Sequence, residues 1–378
     1  MYVASSRRAP RGSRRLFEAQ KREFMTQFVE QIGSVTVKRG TLAAEALASL
    51  SAALPAIHAP SAPARVGRAP MSASPTGANS PLLRRLILLR RITPFTAVHL
   101  ATVALFFVHF SWEMVAACAF TYCFFMVGMA GWMHRYFSHR TFNTTRWFQL
   151  VLAFWAGCAA QRGTLWWAAH HRRHHAFAET EDDPHSPTVR NFWRSHLAWI
   201  FEDAHQPSNY KWVRDLSRYP ELTFLDRWYW TPPIAYWCVF AAIGAGWGAW
   251  KGLGAADGAW AMLVWGPVLG TVLAWHATFC INSVTHLWGK RRYDTGDDSR
   301  NVGWLSWINF GEGWHNNHHY YPHSANLGFH WWQVDPAYYV ILAFERLGLI
   351  WDVRKVPPKA VQGQVRRARP RPEHVEGR

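Results

Sequence analysis

Apolar residues fall into two pairs of long runs separated by polar chain. The first run, Phe95 to Phe110, follows a basic approach of Arg84, Arg85, Arg90 and Arg91. A short break at Ser111-Trp112-Glu113 divides it from the second run, Met114 to Trp132. A second pair covers about Tyr229 to Trp250 and Trp260 to Ile281, joined by the glycine-rich stretch 251–259. Each run approaches the ~20 residues that a helix needs to cross the hydrocarbon core of a bilayer. The pattern predicts an all-α membrane protein with four transmembrane helices in two hairpins. The stretch from Trp147 to Ala160 is apolar but too short to span, and predicts an interfacial or re-entrant helix.

Charge orients this plan. The segment 133–228 is rich in arginine, whereas the hairpin tips hold only Glu113, Lys251 and Asp257. The positive-inside rule then places both termini and the central segment in the cytoplasm, where the polar segments form a helical cap. Only 17% of residues are charged, against roughly a quarter in an ordinary soluble domain. That shortage weighs against reading the runs as core helices of a soluble protein. The net charge of +17 lies in the two tails and between the pairs of runs, not in the single stripe of a nucleic-acid binder. Residues 1–90 are rich in Ala, Ser, Pro and Arg and lack the continuous apolar stretch of a secretory signal, so they read as a flexible basic leader. An Arg- and Ser-rich transit peptide, or a start at Met71, fits the same composition. The domain plan is a leader at 1–90, a membrane domain at 91–355 and a basic tail at 356–378. Five cysteines without a Cys-x-x-Cys pair suggest neither a disulfide framework nor a thiolate zinc site.

The chemistry is carried by the twenty histidines, many of them clustered. His134-Arg-Tyr-Phe-Ser-His139 follows the second run. His170-His171-Arg-Arg-His174-His175 lies between the pairs, His315-Asn-Asn-His318-His319 lies near the end, and His286 follows the fourth run. Residues i, i+3 and i+4 share one helix face, so His171, His174 and His175 converge, as do His315, His318 and His319. Asn282 and His286 are likewise one turn apart. The gap from His134 to His139 is roughly 140° around a straight helix, so that pair straddles a helix end or serves different metals. Imidazole suits iron, zinc, copper and nickel alike. A one-metal catalytic site needs three protein ligands, and nine histidines are enough for two metals. His58, His99, His109, His196, His205, His276, His323, His330 and His374 stand alone and read as surface or core residues. Glu179, Asp182, Asp183, Asp297 and Glu312 are available to orient the second ring nitrogens.

The His-x-x-x-x-His box, the His-x-x-His-His box and Gly311-Glu-Gly-Trp-His315-Asn-Asn-His318-His319 resemble those of the membrane fatty acid desaturases. Trp167-Ala-Ala-His-His-Arg-Arg-His-His-Ala-Phe-Ala-Glu179-Thr-Glu-Asp-Asp-Pro184-His185 and Asn282-Ser-Val-Thr-His286-Leu-Trp-Gly289 are similar to the stearoyl-CoA Δ9 enzymes, and the likeness covers roughly 95–355. The resemblance implies a non-haem di-iron centre beneath a four-helix membrane stalk, with O2 as co-substrate. Its implied ligands are His134, His139, His171, His174, His175, His286, His315, His318 and His319, with Asn282 holding one iron through a water. It also implies a substrate tunnel bent at Gln161, Trp167 and Thr278. The implied activity is that of an acyl-CoA Δ9 desaturase, which forms a cis double bond in a saturated acyl chain. An acyl-lipid desaturase and a hydroxylase of the same superfamily are the near alternatives, and a histidine-rich metal transporter the distant one. One departure bears on the carrier: the Arg-Asp pair that touches coenzyme A in the animal enzymes is Ala169-His170 here.

The reaction draws two electrons from outside. The chain has no His-Pro-Gly-Gly haem signature and no cysteine spacing for an iron–sulfur cluster. Gly244-Ala-Gly246-Trp-Gly248 lies inside an apolar run with no strand before it, so it is not a nucleotide loop. A separate donor of ferredoxin or cytochrome type is expected. A basic cytoplasmic surface attracts such acidic carriers, and anionic lipid headgroups as well.

Overall fold

The computed structural model describes residues 80–365, so most of the leader and of the tail expected from the sequence lies outside the described residues. In chain order the helices relevant here are α1 (Pro81–Ala101), α2 (Trp112–Val127), α3 (Arg146–Gly157), α4 (Thr164–Phe177), α5 (Phe192–His196), α6 (Pro220–Arg227), α7 (Thr231–Trp250), α8 (Ala255–Leu263), α9 (Leu269–Leu287), α10 (Gly303–Ile308), α11 (His315–Tyr320) and α12 (Pro336–Arg346). The first begins inside the stretch read as leader. Ser80 caps it by accepting from the Leu83 N–H at 3.1 Å, and Pro81 takes the first helical position, where its missing N–H costs nothing.

Among the described residues, three helical stretches are long and apolar enough to cross a membrane: Leu82–Phe106, Trp112–Ser138 and Ala255–Leu287. The last two run to 27 and 33 residues because each continues beyond its apolar run into a polar, histidine-bearing turn. The stretch Trp112–Ser138 joins α2 to a π-helical segment at Gly128–Ser138. The stretch Ala255–Leu287 joins α8, a π turn at Val264–Val268 and α9. The fourth predicted span is a helix, α7, of 20 residues with no charged side chain. It is not among the three stretches above, although it carries no charged residue. It packs closely on α8: a Cβ at Gly244 would sit 2.5 Å from the Gly258 carbonyl, so only glycine admits the approach. At 12 residues, α3 is too short to span, as its sequence indicated.

The principal core gathers Trp132, Tyr136 and Phe137 of the π segment, Leu152 and Ala156 of α3, Leu165 of α4, and Ile341 of α12. A two-residue antiparallel ladder, β1 (Asn143–Thr144) with β2 (Ile350–Trp351), ties the chain after the first histidine box to its far end and is a small departure from the all-α expectation. This core backs the face on which the histidines meet.

Candidate metal centre

Four elements deliver the histidines. The π segment carries His134, with His139 at its cap; α4 carries His171, His174 and His175; α9 carries His286; and α11 carries His315, His318 and His319. On a straight α-helix His134 and His139 would diverge. The wider π turn, with its i→i+5 repeat, instead brings their rings to 5.0 Å. Helix α4 is set by Asp226 of α6, whose carboxylate accepts from the Trp166 N–H at 2.8 Å. Helix α11 is set by asparagines: the Asn301 side chain accepts from the N–H groups of Asn316 and Asn317 at 3.0 and 3.2 Å, satisfying donors that a helix start leaves open. Gly311, at φ 99°, precedes it, and a Cβ there would meet the Asp335 carboxylate at 2.2 Å.

The nine imidazoles form two groups. His134, His139, His171, His175 and His318 make one, and His174, His286, His315 and His319 the other; within each group the ring nitrogens lie within 4.8 Å of one another. Nε2 atoms approach to 3.0 Å between His134 and His318, 2.8 Å between His139 and His171, 2.9 Å between His175 and His318, and 3.0 Å between His286 and His315. Each ring nitrogen carries one proton or one lone pair. Hydrogen bonds among the rings therefore cannot satisfy five nitrogens that converge on one point, whereas a cation at that point satisfies all of them.

Carboxylates hold the opposite ring edges. Nδ1 of His134 lies 2.6 Å from Glu312, that of His174 3.0 Å from Asp183, that of His286 2.8 Å from Glu179, and that of His319 2.9 Å from Asp297. A carboxylate only accepts, so Nδ1 of His174, His286 and His319 donates and their Nε2 lone pairs point inward, as metal ligation requires, while Glu312 stands in close contact with the His134 ring. Asp182 takes no such place; it is exposed and pairs with Arg173 at 3.5 Å. Burial holds His139, His171, His175, His315 and His318 well below the usual imidazole value, and so neutral. Burial also lowers His319, to about 4, although Asp297 opposes it. For His174 burial pulls down as well, but the Asp183 carboxylate prevails and the net shift is upward. Burial alone would raise the Glu179 carboxyl; the His286 ring and the Ser186 and Thr188 hydroxyls hold it at about 2. Converging imidazoles, several of them backed by carboxylates, are the donor set that borderline transition metals take, and the residues present fit two such ions.

A cavity of about 460 Å³ leads to this centre, walled by Phe95, Trp275 and Phe279 and reached by Arg90, Arg91 and Arg162. A space of about 20 Å³ lies beyond it against His134, His171, His174 and His315. Trp167, Thr278 and Asn282 line both, and Gln161 lines the larger one. Gln161 donates to the Thr278 hydroxyl at 3.0 Å, and Trp167 stacks on His171 with ring centroids 4.9 Å apart. The three positions expected at the tunnel bend thus meet where the cavity narrows toward the histidines. Its larger part is apolar and of a size that accepts an extended hydrocarbon chain.

Some participants gave no sequence signal. Arg135, only 1% exposed, lies 3.3 Å from Glu312 and 2.8 Å from Asp335, and so fixes the carboxylate that orients His134. Asp335 lies two hundred residues away in sequence, beyond the reach of any local pattern. His185 packs 4.3 Å from His174, flagged only by its place in the second motif. His170 turns away from the centre and bonds the Trp166 carbonyl at 2.8 Å, although it lies four residues before His174. His99, His276 and His196, read as isolated, instead form a hydrogen-bonded chain outside the centre with 3.1 Å links.

A profile of the family described as fatty acid desaturase matches residues 110–352, which contain all nine histidines. The chain is 35% identical over 293 residues to the sn-2 palmitoyl-lipid 9-desaturase of Nostoc sp. (strain 36), covering 76% of this chain and 95% of that one. It is 38% identical over 283 residues to Delta-9 acyl-lipid desaturase 2 of Arabidopsis thaliana, covering 73% and 85%. It is 34% identical over 252 residues to the acyl-CoA C20 Delta5-desaturase of Anemone leveillei, covering 66% and 76%.

Proposed function

The chain belongs to the fatty acid desaturase family, and from that premise we propose that it is a membrane di-iron enzyme that places a cis Δ9 double bond in a saturated acyl chain. The observation that carries this reading is the convergence of nine imidazoles at the narrow end of an acyl-sized cavity. His134, His139, His171, His175 and His318 hold one iron; His174, His286, His315 and His319 hold the other, with Asn282 beside it. Bound there, the irons supply the reduction of O2 and the removal of hydrogen from unactivated methylenes, which no side chain performs alone. The balance is O2, two electrons and two protons consumed for one double bond and two waters formed.

The protein's own part is to position and to exclude. Glu312, Asp183, Glu179 and Asp297 keep the rings oriented. Gln161, Trp167 and Thr278 bend the acyl chain so that one C–C pair faces the centre. Bending matters because an apolar pocket alone discriminates a methylene by only ~1–3 kcal/mol. The Δ9 position is supported by the names of the Nostoc and Arabidopsis relatives, a 9-desaturase and a Delta-9 desaturase. A membrane lipid is the favoured acyl carrier, since Ala169-His170 is buried and offers no cation to a CoA phosphate. An acyl-CoA carrier is the second reading, favoured by Arg90, Arg91 and Arg162 beside the cavity.

The topology we propose has four spans, α7 being the fourth: its 20 residues give about 30 Å, the thickness of a hydrocarbon core. The Lys251–Glu113 ion pair, at 3.0 Å, joins the two hairpin tips and supports their lying on one side. The arginine-rich cap and the metal centre are then cytoplasmic, where a separate ferredoxin- or cytochrome-type donor reaches them. The test is expression in a host lacking its own desaturase, followed by mass spectrometry of lipids. The expected product is two mass units lighter than its precursor; a gain of sixteen would identify a hydroxylase. His315→Ala should abolish the product, and retained activity would refute the ligand assignment.

A further inference from the structure

On the cap, away from the acyl cavity, a groove of about 730 Å³ is lined by Val284, Trp288, Lys290, Arg292, Trp304 and Trp332. We infer that it is a binding site for one anionic glycerophospholipid of the surrounding bilayer, separate from the substrate. The inference rests on the membrane placement proposed above. Three observations carry it.

The groove is continuous with the spans. Val284 belongs to α9, the end of the stretch Ala255–Leu287. Helix α10 opens at the groove and closes against another span, where the Tyr122 hydroxyl of α2 donates to the Ile308 carbonyl at 2.7 Å. Helix α10 thus runs from the cap end of one span, at Val284, to the side of another, at Tyr122.

The walls are indoles left outside the protein core. Leu305 and Ser306 of α10 are buried, while Trp304 and Trp307 are each 64% exposed and Ile308 44%. Trp288 and Trp332 are exposed as well, the latter stacked on His330 with centroids 4.5 Å apart. Exposed indoles are costly in water and favourable among headgroups, where an apolar ring and a wet N–H are both accommodated.

The rim is cationic and its backbone is fixed. Lys290 and Arg292 are exposed and form no ion pair among the described residues, whereas Arg291 between them faces Asp294 and Asp298 at 3.9 and 3.6 Å. Lys290 is held by paired backbone bonds to Asn301 of 3.0 and 2.8 Å. The Arg292 N–H donates to the Asn316 side chain at 2.8 Å. Two cations beside an apolar, indole-walled groove, Lys290 and an Arg292 whose Nε donates to the Tyr293 hydroxyl at 3.3 Å, match a phosphodiester above acyl chains. An acidic protein would use the cations and leave the indoles unexplained.

The test uses the full chain in detergent with phosphatidylglycerol or phosphatidylcholine, with retained lipid counted by native mass spectrometry. Wild type should keep one phosphatidylglycerol per chain through washing with phosphatidylcholine. Lys290→Gln/Arg292→Gln should bind it about thirtyfold more weakly. The equal charge change Arg214→Gln/Arg218→Gln should bind it as wild type does, and Trp304→Ala should weaken both lipids. Retention by Lys290→Gln/Arg292→Gln, or equal loss by the Arg214/Arg218 control, would overturn the site. So would a Lys290/Arg292 variant that keeps the lipid but loses reduction by a plant ferredoxin, which would assign the groove to the donor. Equal metal content across the variants excludes misfolding. Wild type that does not float with vesicles would overturn both this site and the membrane placement, whereas wild type that floats while the lipid count fails to change overturns the site alone.

Discussion

At the scale of single residues, carboxylates behind the imidazoles set how the rings face one another. Glu312→Gln leaves His134 free to take the wrong tautomer and should lower metal affinity by about 10–100-fold, read as faster loss to a chelator. Asp182→Asn should change nothing, because Asp182 sits outside the centre. Arg135 lies between Glu312 and Asp335, all three side chains buried. Arg135→Leu leaves two buried carboxylates uncompensated and should cost about 3–5 kcal/mol of stability, measured by thermal unfolding. Much at this scale was legible in the chain: i, i+3 and i+4 spacing brings together His171, His174 and His175, and again His315, His318 and His319. Four of the five acids singled out as ring partners lie beside rings. Arg135 and Asp335 were not legible, because a pair two hundred residues apart leaves no periodic trace, and a buried arginine reads locally as a surface one.

At the scale of elements, the π segment Gly128–Ser138 matters most. Its wide turn puts His134 and His139 in one group, whereas α-helical spacing separates them. Deleting one residue at Met129 should restore ordinary winding and rotate His134 by about 100°. The five-histidine group should then lose its metal, so the content per chain falls by at least one. A deletion variant with unchanged metal content would show that the winding is incidental. Residue spacing alone could not reveal this, since a π turn and an α turn present the same residue order. The spans show the converse limit: apolar runs locate three of them, but the helices continue past the runs because polar histidine turns keep the same backbone geometry. Helix α7 forms where its apolar run lies, as 20 residues with no charged side chain.

At the scale of the whole molecule, nine imidazoles, six buried and three half-buried, are a liability without metal. His139, His171, His175, His315 and His318 stay neutral in the folded chain below the ordinary value of 6.5, while the unfolded chain takes up protons there. The unfolded state then binds more protons, so the stability of the metal-free protein should fall as pH drops through 6.5. His174, shifted upward, acts in the opposite sense but is one ring against five. Thermal unfolding of chelator-treated protein at about pH 8 and about pH 5.5 reads the effect; metal-loaded protein should show less of it, because its rings are held by ligation in the folded state. An equal or higher midpoint at the lower pH would contradict the burial of these rings.

The central claim is that imidazoles from four distant segments enclose two adjacent irons. Anomalous X-ray scattering at the iron edge, on crystals of the iron-loaded protein, tests it most directly. Two peaks are expected, one among His134, His139, His171, His175 and His318, and one among His174, His286, His315 and His319. A single peak, or iron lying outside both groups, would contradict it.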